Sequence, residues 1–426
     1  MIALLMLAAP VHALTLEEAW SAAEARGVDM RILDERQLQA ETLRTQAWAL
    51  VQPKVVAGAS YTINEYPIVL DFAATLPPEF ASFLGDMEPT VVNKEKFLAW
   101  NASVIQPIFS GQAFPLLKAA YATVDGAVAE TEGLRQAVRA GVARAFYGVA
   151  VAREGFAVAE NAVANAEKHR SLAEVAVSAG TAPPTARLEA ELAVARATRE
   201  RLAAREGVVT AENALARLVG GDVEGEIVLP AAPKLPWDTV DAALAAARKG
   251  RPAMAAARSQ AQAARYQSIA TGLDWLPTLA GRFTYSYSEN TGFSDDPTMW
   301  MVVLDGKWTL WDGGNRIAMQ RKNASVARMA NLAEDRAWLD AQEAVRTTWE
   351  RHARARGALE AVEREVALSE QHLAVAEAAF SAGSVTFLQL EDARLGLRAA
   401  RMARLAQRMD RDLAVLDLLA AAGELS

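Results

Sequence analysis

The sequence predicts a mostly helical protein with a small membrane-inserted β part, built from a module that occurs twice. The duplication is the first observation. Val177-Ser178-Ala179-Gly180-Thr181 is answered half a chain later by Phe380-Ser381-Ala382-Gly383-Ser384, and each is followed by an acid and an alanine, Glu189-Ala190 and Asp392-Ala393. Ile108-Phe109-Ser110-Gly111 answers Leu310-Trp311-Asp312-Gly313, Leu16-Glu17-Glu18-Ala19 answers Val240-Asp241-Ala242-Ala243, and Pro53 answers Pro277. A unit of half a chain is far too long for a solenoid repeat. The second observation is a pair of very long helical runs, and the third is four alternating strands.

Each half carries the same order: helix, two strands, a very long helix, a tight turn, a helix. The first repeat covers 14–219, with a helix over Thr15 to Ala49, strands at about 51–66 and 97–109, a long helix over 112–179 and a helix over 185–219. Thr15 has the chemistry of an N-cap. Residues 220–236, rich in Gly and Pro, form a linker. The second repeat covers 237–426, with a helix near Thr239 to Asp274, strands at about 277–289 and 299–311, a long helix over 315–382 and a helix over 386–422. Ala, Leu, Arg and Glu fill these runs, and they are strong helix formers. At 1.5 Å per residue each long helix reaches roughly 100 Å, a length suited to a coiled coil or a tube.

The strands decide between those two. Leu279, Gly281, Phe283, Tyr285 and Tyr287 alternate with Ala280, Arg282, Thr284, Ser286 and Ser288. Trp300, Val302, Leu304, Trp308 and Leu310 alternate with Met301, Val303, Asp305, Lys307 and Thr309, and Leu98, Trp100, Ala102 and Val104 with Phe97, Ala99, Asn101 and Ser103. Their partner over Val55 to Asn64 alternates less cleanly. One apolar, aromatic-bearing face and one polar face, over about ten residues, is the pattern of a transmembrane barrel strand. Four strands cannot close a barrel, and an open edge is not tolerated in lipid. The chain must therefore oligomerise. Eight strands from a dimer would be filled by their own side chains, whereas twelve from a trimer enclose a lumen, which suits the polar face.

Composition removes several function classes. The absence of cysteine excludes disulfides, thiolate chemistry and a lipid-modified N-terminal cysteine. A net charge of −8 with interleaved basic residues speaks against a nucleic-acid partner. The four histidines His12, His169, His352 and His372 are scattered, so no metal site is expected, and no catalytic motif is present. Neither a cofactor nor an enzymatic activity is expected. Residues 1–13 are an apolar run closing on Val11-His12-Ala13, read as a signal peptide although the charged n-region is missing.

In order and spacing these motifs resemble the TolC-like outer-membrane efflux protein family over nearly the whole mature length. The residues that carry the match are Leu14 to Ala19, the Trp48…Pro53 and Trp275…Pro277 strand starts, Gln106 to Gly111, Leu310 to Arg316, and the turns at Ala179-Gly180-Thr181 and Ala382-Gly383-Ser384. The resemblance implies a homotrimer with a twelve-stranded outer-membrane barrel continuous with a periplasmic α-helical tunnel, the linker lying in a belt around its middle. It implies an export duct that joins a periplasmic adaptor (membrane fusion) protein and an inner-membrane transporter, as in tripartite efflux or type I secretion, and opens passively at its periplasmic tip.

The resemblance also suggests sites. Family members often carry acids six and nine positions after the second tip glycine; here those positions are Gln389 and Asp392, with Ala186 and Glu189 as first-half equivalents. Asp392, Gln389 and Glu189 are thus the candidate aperture residues, weighed against solvated helix-face groups in a suitable register. The tip turns Ala179, Gly180, Thr181, Ala382, Gly383 and Ser384 are candidates for adaptor docking, although glycine there also serves simply to end a helix in the left-handed conformation. Trp100, Phe283, Tyr285, Trp300 and Trp308 are expected to face outer-membrane lipid or its interface. The competing reading is a periplasmic coiled-coil scaffold or adaptor with no channel.

Overall fold

A computed structural model describes residues 14–71, 89–222, 225–230, 233–292, 294, 296–382 and 384–425. The expected signal peptide, and Gly383 of the second tip, lie outside the described residues. The chain is mostly helical with two small sheets. In order it forms α1 (Leu16–Arg26), α2 (Val28–Trp48), β1 (Lys54–Ile63), β2 (Ile68–Leu70), β3 (Thr90–Asn93), β4 (Lys96–Phe109), α3 (Ala113–Ser178), α4 (Pro184–Val219), α5 (Val240–Gly250), α6 (Pro252–Gly272), β5 (Thr278–Ser288), β6 (Thr298–Lys307), α7 (Asn315–Ser381) and α8 (Phe387–Ala422). It divides into two compact units, Met1–Gln39 with Gly126–Arg258 and Ala333–Ser426, and Ala40–Asp125 with Ser259–Leu332.

The first unit is helical. Its core gathers Val142, Ala143, Phe146, Tyr147 and Val149 of α3, Leu16, Ala19 and Ala23 of α1, Leu215 and Val219 of α4, and Leu413 and Leu416 of α8. Tyr147 is buried among them; burial first, then the charge of Asp412, pushes its phenol pKa upward. Away from this cluster the α7–α8 contact rests on small sets, Val366 with Leu397 and Ala400, and Ala376 with Leu390 and Ala393. Small side chains let long helices run close together, each level contributing little and the length contributing the sum.

Two helices expected to be continuous are broken. Arg251 adopts an extended conformation because the following Pro252 disfavours the helical region at the residue before it. Gly27 leaves helical geometry between α1 and α2, where a Cβ would lie 2.8 Å from the Leu218 carbonyl oxygen. The C-terminal end of another helix meets each break. Gly220, after α4, has φ 73° and stands where a Cβ would be 2.5 Å from the Arg26 carbonyl oxygen. Gly423, after α8, has φ 78° and a Cβ there would be 2.5 Å from the Arg251 Cα. Thr15 caps α1, accepting from the Glu18 amide at 3.2 Å while Glu18 accepts from the Thr15 amide at 2.8 Å. Leu14 and Ile227 form an isolated parallel bridge that ties the linker to the residues before α1.

The second unit holds the main sheet, an antiparallel ladder in the order β1-β4-β5-β6. β2 and β3 form a separate two-stranded ribbon inside the long connection between β1 and β4, which the sequence pattern did not suggest. Pro107 sits in β4 past the last residue paired with β1, where its missing N–H costs no bond to that strand. The junction from β6 to α7 is a built latch. Asp312 accepts from the amides of Gly314 at 3.2 Å and Arg316 at 2.9 Å, and Gly313 and Gly314 take φ values of 71° and 88° to make room for the turn. The Arg316 guanidinium, 8% exposed, reaches Asp274 at 3.3 Å, the Thr309 carbonyl at 2.6 Å and the face of Trp275 at 5.2 Å. Asp274 also accepts from Gln112, at the corresponding junction between β4 and α3.

The paired glycines predict a stability pattern. Gly220→Ala and Gly423→Ala should each lower unfolding free energy in urea by about 1–3 kcal/mol, because a Cβ meets backbone in a left-handed conformation. Gly357→Ala, in the interior of α7 with open space at its Cβ, should instead gain up to about 1 kcal/mol.

Candidate functional site

The register of the sheet sorts its side chains by face. Directly paired residues of an antiparallel ladder point to the same side. Trp100 is paired with Ala59 and Tyr287, Ala102 with Ala57 and Tyr285, and Val104 with Val55 and Phe283. Tyr285 is in turn paired with Trp300, Phe283 with Val302, and Gly281 with Leu304. One face therefore collects apolar and aromatic groups from all four strands. The other collects Asn101 with Gly58 and Ser286, Ser103 with Thr284, and Arg282 with Ile105 and Val303, Arg282 also reaching its diagonal neighbour Asp305 at 3.6 Å.

The apolar face is bare. Val302 is 67% exposed, Trp300 68% and Val55 70%. Trp100 stacks on Tyr287 with ring centroids 5.9 Å apart and tilts against Tyr285 at 5.7 Å, so the aromatics order one another without covering the face. Trp308 lies one residue beyond β6, where its indole N–H donates to the Trp275 carbonyl at 3.1 Å. The aromatic candidates thus lie on or next to a single surface. Its β1 contribution was obscured in the sequence by the small residues Ala57 and Ala59.

The two helix-hairpin tips are the second candidate region, and they share one turn. At the first, Gly180 has φ 71° and open space around its Cβ position, so the conformation rather than crowding calls for glycine. The Thr181 amide donates to the Ala176 carbonyl at 2.9 Å and its hydroxyl to the same oxygen at 3.0 Å. At the second, the Ser384 amide and hydroxyl donate to the Ala379 carbonyl, each at 2.9 Å. The hydroxyls of Thr181 and Ser384 are spent on closing the turns. Ala179 and Ala382 continue the helical pattern, donating to Val175 and Ala378.

The candidate aperture residues separate. Asp392 and Glu189 are exposed on α8 and α4. Gln389 is committed elsewhere: its side-chain oxygen accepts from the Thr386 amide at 2.8 Å, while Thr386 caps the Gln389 amide. This capping box was readable as Thr386-x-x-Gln389, and it explains an amide at that position without reference to an aperture. The neighbour of Asp392 was missed. Glu391 is largely covered, 3.0 Å from Arg394 and 3.5 Å from the His169 imidazole of α3. Burial lowers the His169 pKa; the Glu391 charge opposes the shift without reversing it, and Arg394 and Lys168 add to it. His352 is lowered as well, by burial and then by Arg356 and Arg411.

Among the described residues there is no group of three or more His, Cys, Asp or Glu side chains placed to hold a metal ion, and no helix long and apolar enough to cross a membrane.

Comparison with known proteins gives a consistent picture. The family described as outer membrane efflux protein matches residues 21–221 and 243–424. Among solved structures the chain is similar to the outer membrane protein VceC of Vibrio cholerae, at 18% identity and a TM-score of 0.74, covering 96% of this chain and 96% of that one. It is similar to the open state of the Neisseria gonorrhoeae outer membrane channel MtrE, at 17% identity and a TM-score of 0.76, covering 96% and 89%. It is also similar to the Campylobacter jejuni outer membrane channel CmeC, at 12% identity and a TM-score of 0.77, covering 96% and 86%. Among curated proteins none matches.

Two outcomes follow from this geometry. Val302→Arg, in the middle of the bare apolar face, should lower stability in a bilayer by about 2–4 kcal/mol, while Thr284→Arg on the opposite face should leave it within experimental error. A group whose folded pKa is depressed contributes stability that is present above its unfolded pKa and lost as pH falls through the folded value. His169 therefore predicts a thermal midpoint that falls as pH drops below about 6.5, the ordinary imidazole value, and His169→Gln should flatten part of that fall.

Proposed function

The chain belongs to the outer membrane efflux protein family, and we propose that three copies of it form a passive export duct. In this reading the four-stranded sheets of three chains close a twelve-stranded barrel, and the helices form a periplasmic tunnel continuous with it. The internal duplication supplies each half with two strands, a long helix and a shorter one. An inner-membrane transporter and a periplasmic adaptor protein would load the tunnel, with the adaptor seated against the tip turns around Gly180 and Gly383. In this reading the energy for export would come from the inner-membrane transporter.

The observation that carries the reading is the sheet. A solvated scaffold has no use for a four-strand face on which Val302, Trp300 and Val55 are about two-thirds exposed. Lipid covers such a face without cost, and the polar face with Arg282 and Asp305 then lines a wet lumen. At the tip, the capped side chain of Gln389 leaves Asp392 as the acid that three copies would present to the mouth. Like charges around a narrow opening concentrate cations.

Membrane fractionation followed by mass measurement of the detergent-released particle tests the duct. Outer-membrane material of three chains per particle is expected; a soluble periplasmic monomer would leave the scaffold reading. In single-channel recordings Asp392→Asn should reduce cation selectivity, and unchanged selectivity would remove Asp392 from the mouth.

A further inference from the structure

The charged residues of the sheet's polar face are gathered at one end. Lys54 is paired with Ile105, Ile105 with Arg282, and Lys307 with Thr278, so these side chains share the face of Ser103 and Thr284. Lys54 opens β1 and Lys307 closes β6, at the end of the sheet that leads into the helices α3 and α7. Toward the other end, residues 56–62, 97–103, 284–288 and 299–301 contain no charged side chain. The band therefore sets three cations, Lys54, Arg282 and Lys307, against one acid, Asp305.

That acid is already engaged. Asp305 lies 3.6 Å from Arg282, and neither Lys54 nor Lys307 has an ion-pair partner among the described residues. Both lysines are exposed. Lysine near a membrane boundary commonly reaches for lipid headgroups. Here, however, the lysines stand on the face opposite Val55 and Leu304, which are 70% and 65% exposed on the apolar side. Lysine on an edge strand also commonly keeps that edge unpaired. In a closed barrel both edges are paired, and β6 of one copy adjoins β1 of the next. Lys307 and Lys54 then stand on adjoining strands, on one face and at one end, where like charges repel. An anion held between them removes the repulsion.

We propose that the helix-side end of the barrel lumen is a binding station for polyvalent anions, with Lys54 and Lys307 as its free cations and Arg282 beside them. The inference rests on the duct reading, which it deepens by naming a ligand class for the lumen. Spacing selects the class. Lys54 and Arg282 lie in one row two strands apart, so their backbones are about 10 Å from each other. A chain of linked phosphate groups spans such a gap, and a single chloride does not. Three copies would repeat the band around the lumen, and low-dielectric walls focus the field of a charged ring on whatever passes through it.

The test is calorimetric titration of sodium tripolyphosphate into the full chain in phosphatidylcholine nanodiscs, where lipid phosphate is present in excess. Particles of three chains should bind it, and more weakly as salt is raised. Lys54→Gln combined with Lys307→Gln should weaken binding by about tenfold or more, while Lys54→Arg with Lys307→Arg should retain it. Lys234→Gln with Lys322→Gln removes the same charge from exposed positions off the sheet and should leave binding unchanged. If the double glutamine variant fails to assemble, each single one should still bind more weakly than the parent. In single-channel recordings these glutamine variants should shift selectivity toward cations, the opposite direction to Asp392→Asn. Particles of three chains that do not bind tripolyphosphate, or whose binding falls equally in the Lys234 and Lys322 variant, would overturn the anion station and leave the duct intact. An unsubstituted protein with one chain per particle would overturn the duct itself.

Discussion

Unpaired backbone at the two edges of a four-stranded sheet is the constraint from which the organisation of this protein follows. β1 and β6 each have one neighbour, and each shows a row of N–H and C=O groups to the side. In water such edges invite aggregation, and in hydrocarbon each unsatisfied group costs several kcal/mol. The same sheet carries an apolar face that the described residues of its own chain leave uncovered. In the proposed duct, lipid would cover the face and strands of further copies would pair the edges.

The helical part solves a different problem with the same economy. Helices of this length cannot each own a large core, and the buried residues along α7 and α8 are mostly Ala, Val and Leu spaced to form narrow seams. Where a helix ends against the break of another, no side chain fits, and glycine in the left-handed conformation allows contact at backbone distance. Gly220 and Gly423 perform this function at equivalent places, one beside Arg26 and one beside Arg251. Surface ion pairs such as Arg401–Glu370 align the helices and contribute little each. The larger polar investment is at the strand-to-helix junction, where Arg316 is enclosed by two carboxylates, a carbonyl and an indole.

How legible this was in the sequence depended on the length scale of each signal. The long helices and the strands spanning Thr278–Ser288 and Lys96–Phe109 were visible because periodicity accumulates over many residues. The breaks after Arg26 and Gly250 were hidden, since a single Gly or Pro in an Ala-rich run is tolerated, and what meets each break is the end of a helix far away in sequence. The β1 face was faint because Ala57 and Ala59 alternate with Gly58 and Ser60, and pairing with Trp100 and Leu98 is what assigns them. At the tips the chemistry is local and readable, as in the Thr386-x-x-Gln389 pattern of the capping box. The contact of Glu391 with His169 joins residues on different hairpins, and no local pattern announces it.

Hydrogen exchange, resolved strand by strand on the membrane-embedded protein, addresses the edges themselves. If each edge is paired to the next copy, amides of β1 and β6 should be protected as strongly as those of the interior strands β4 and β5. Rapid exchange along β1 or β6, with β4 and β5 protected, would mean an open sheet, and the closed barrel would have to be abandoned.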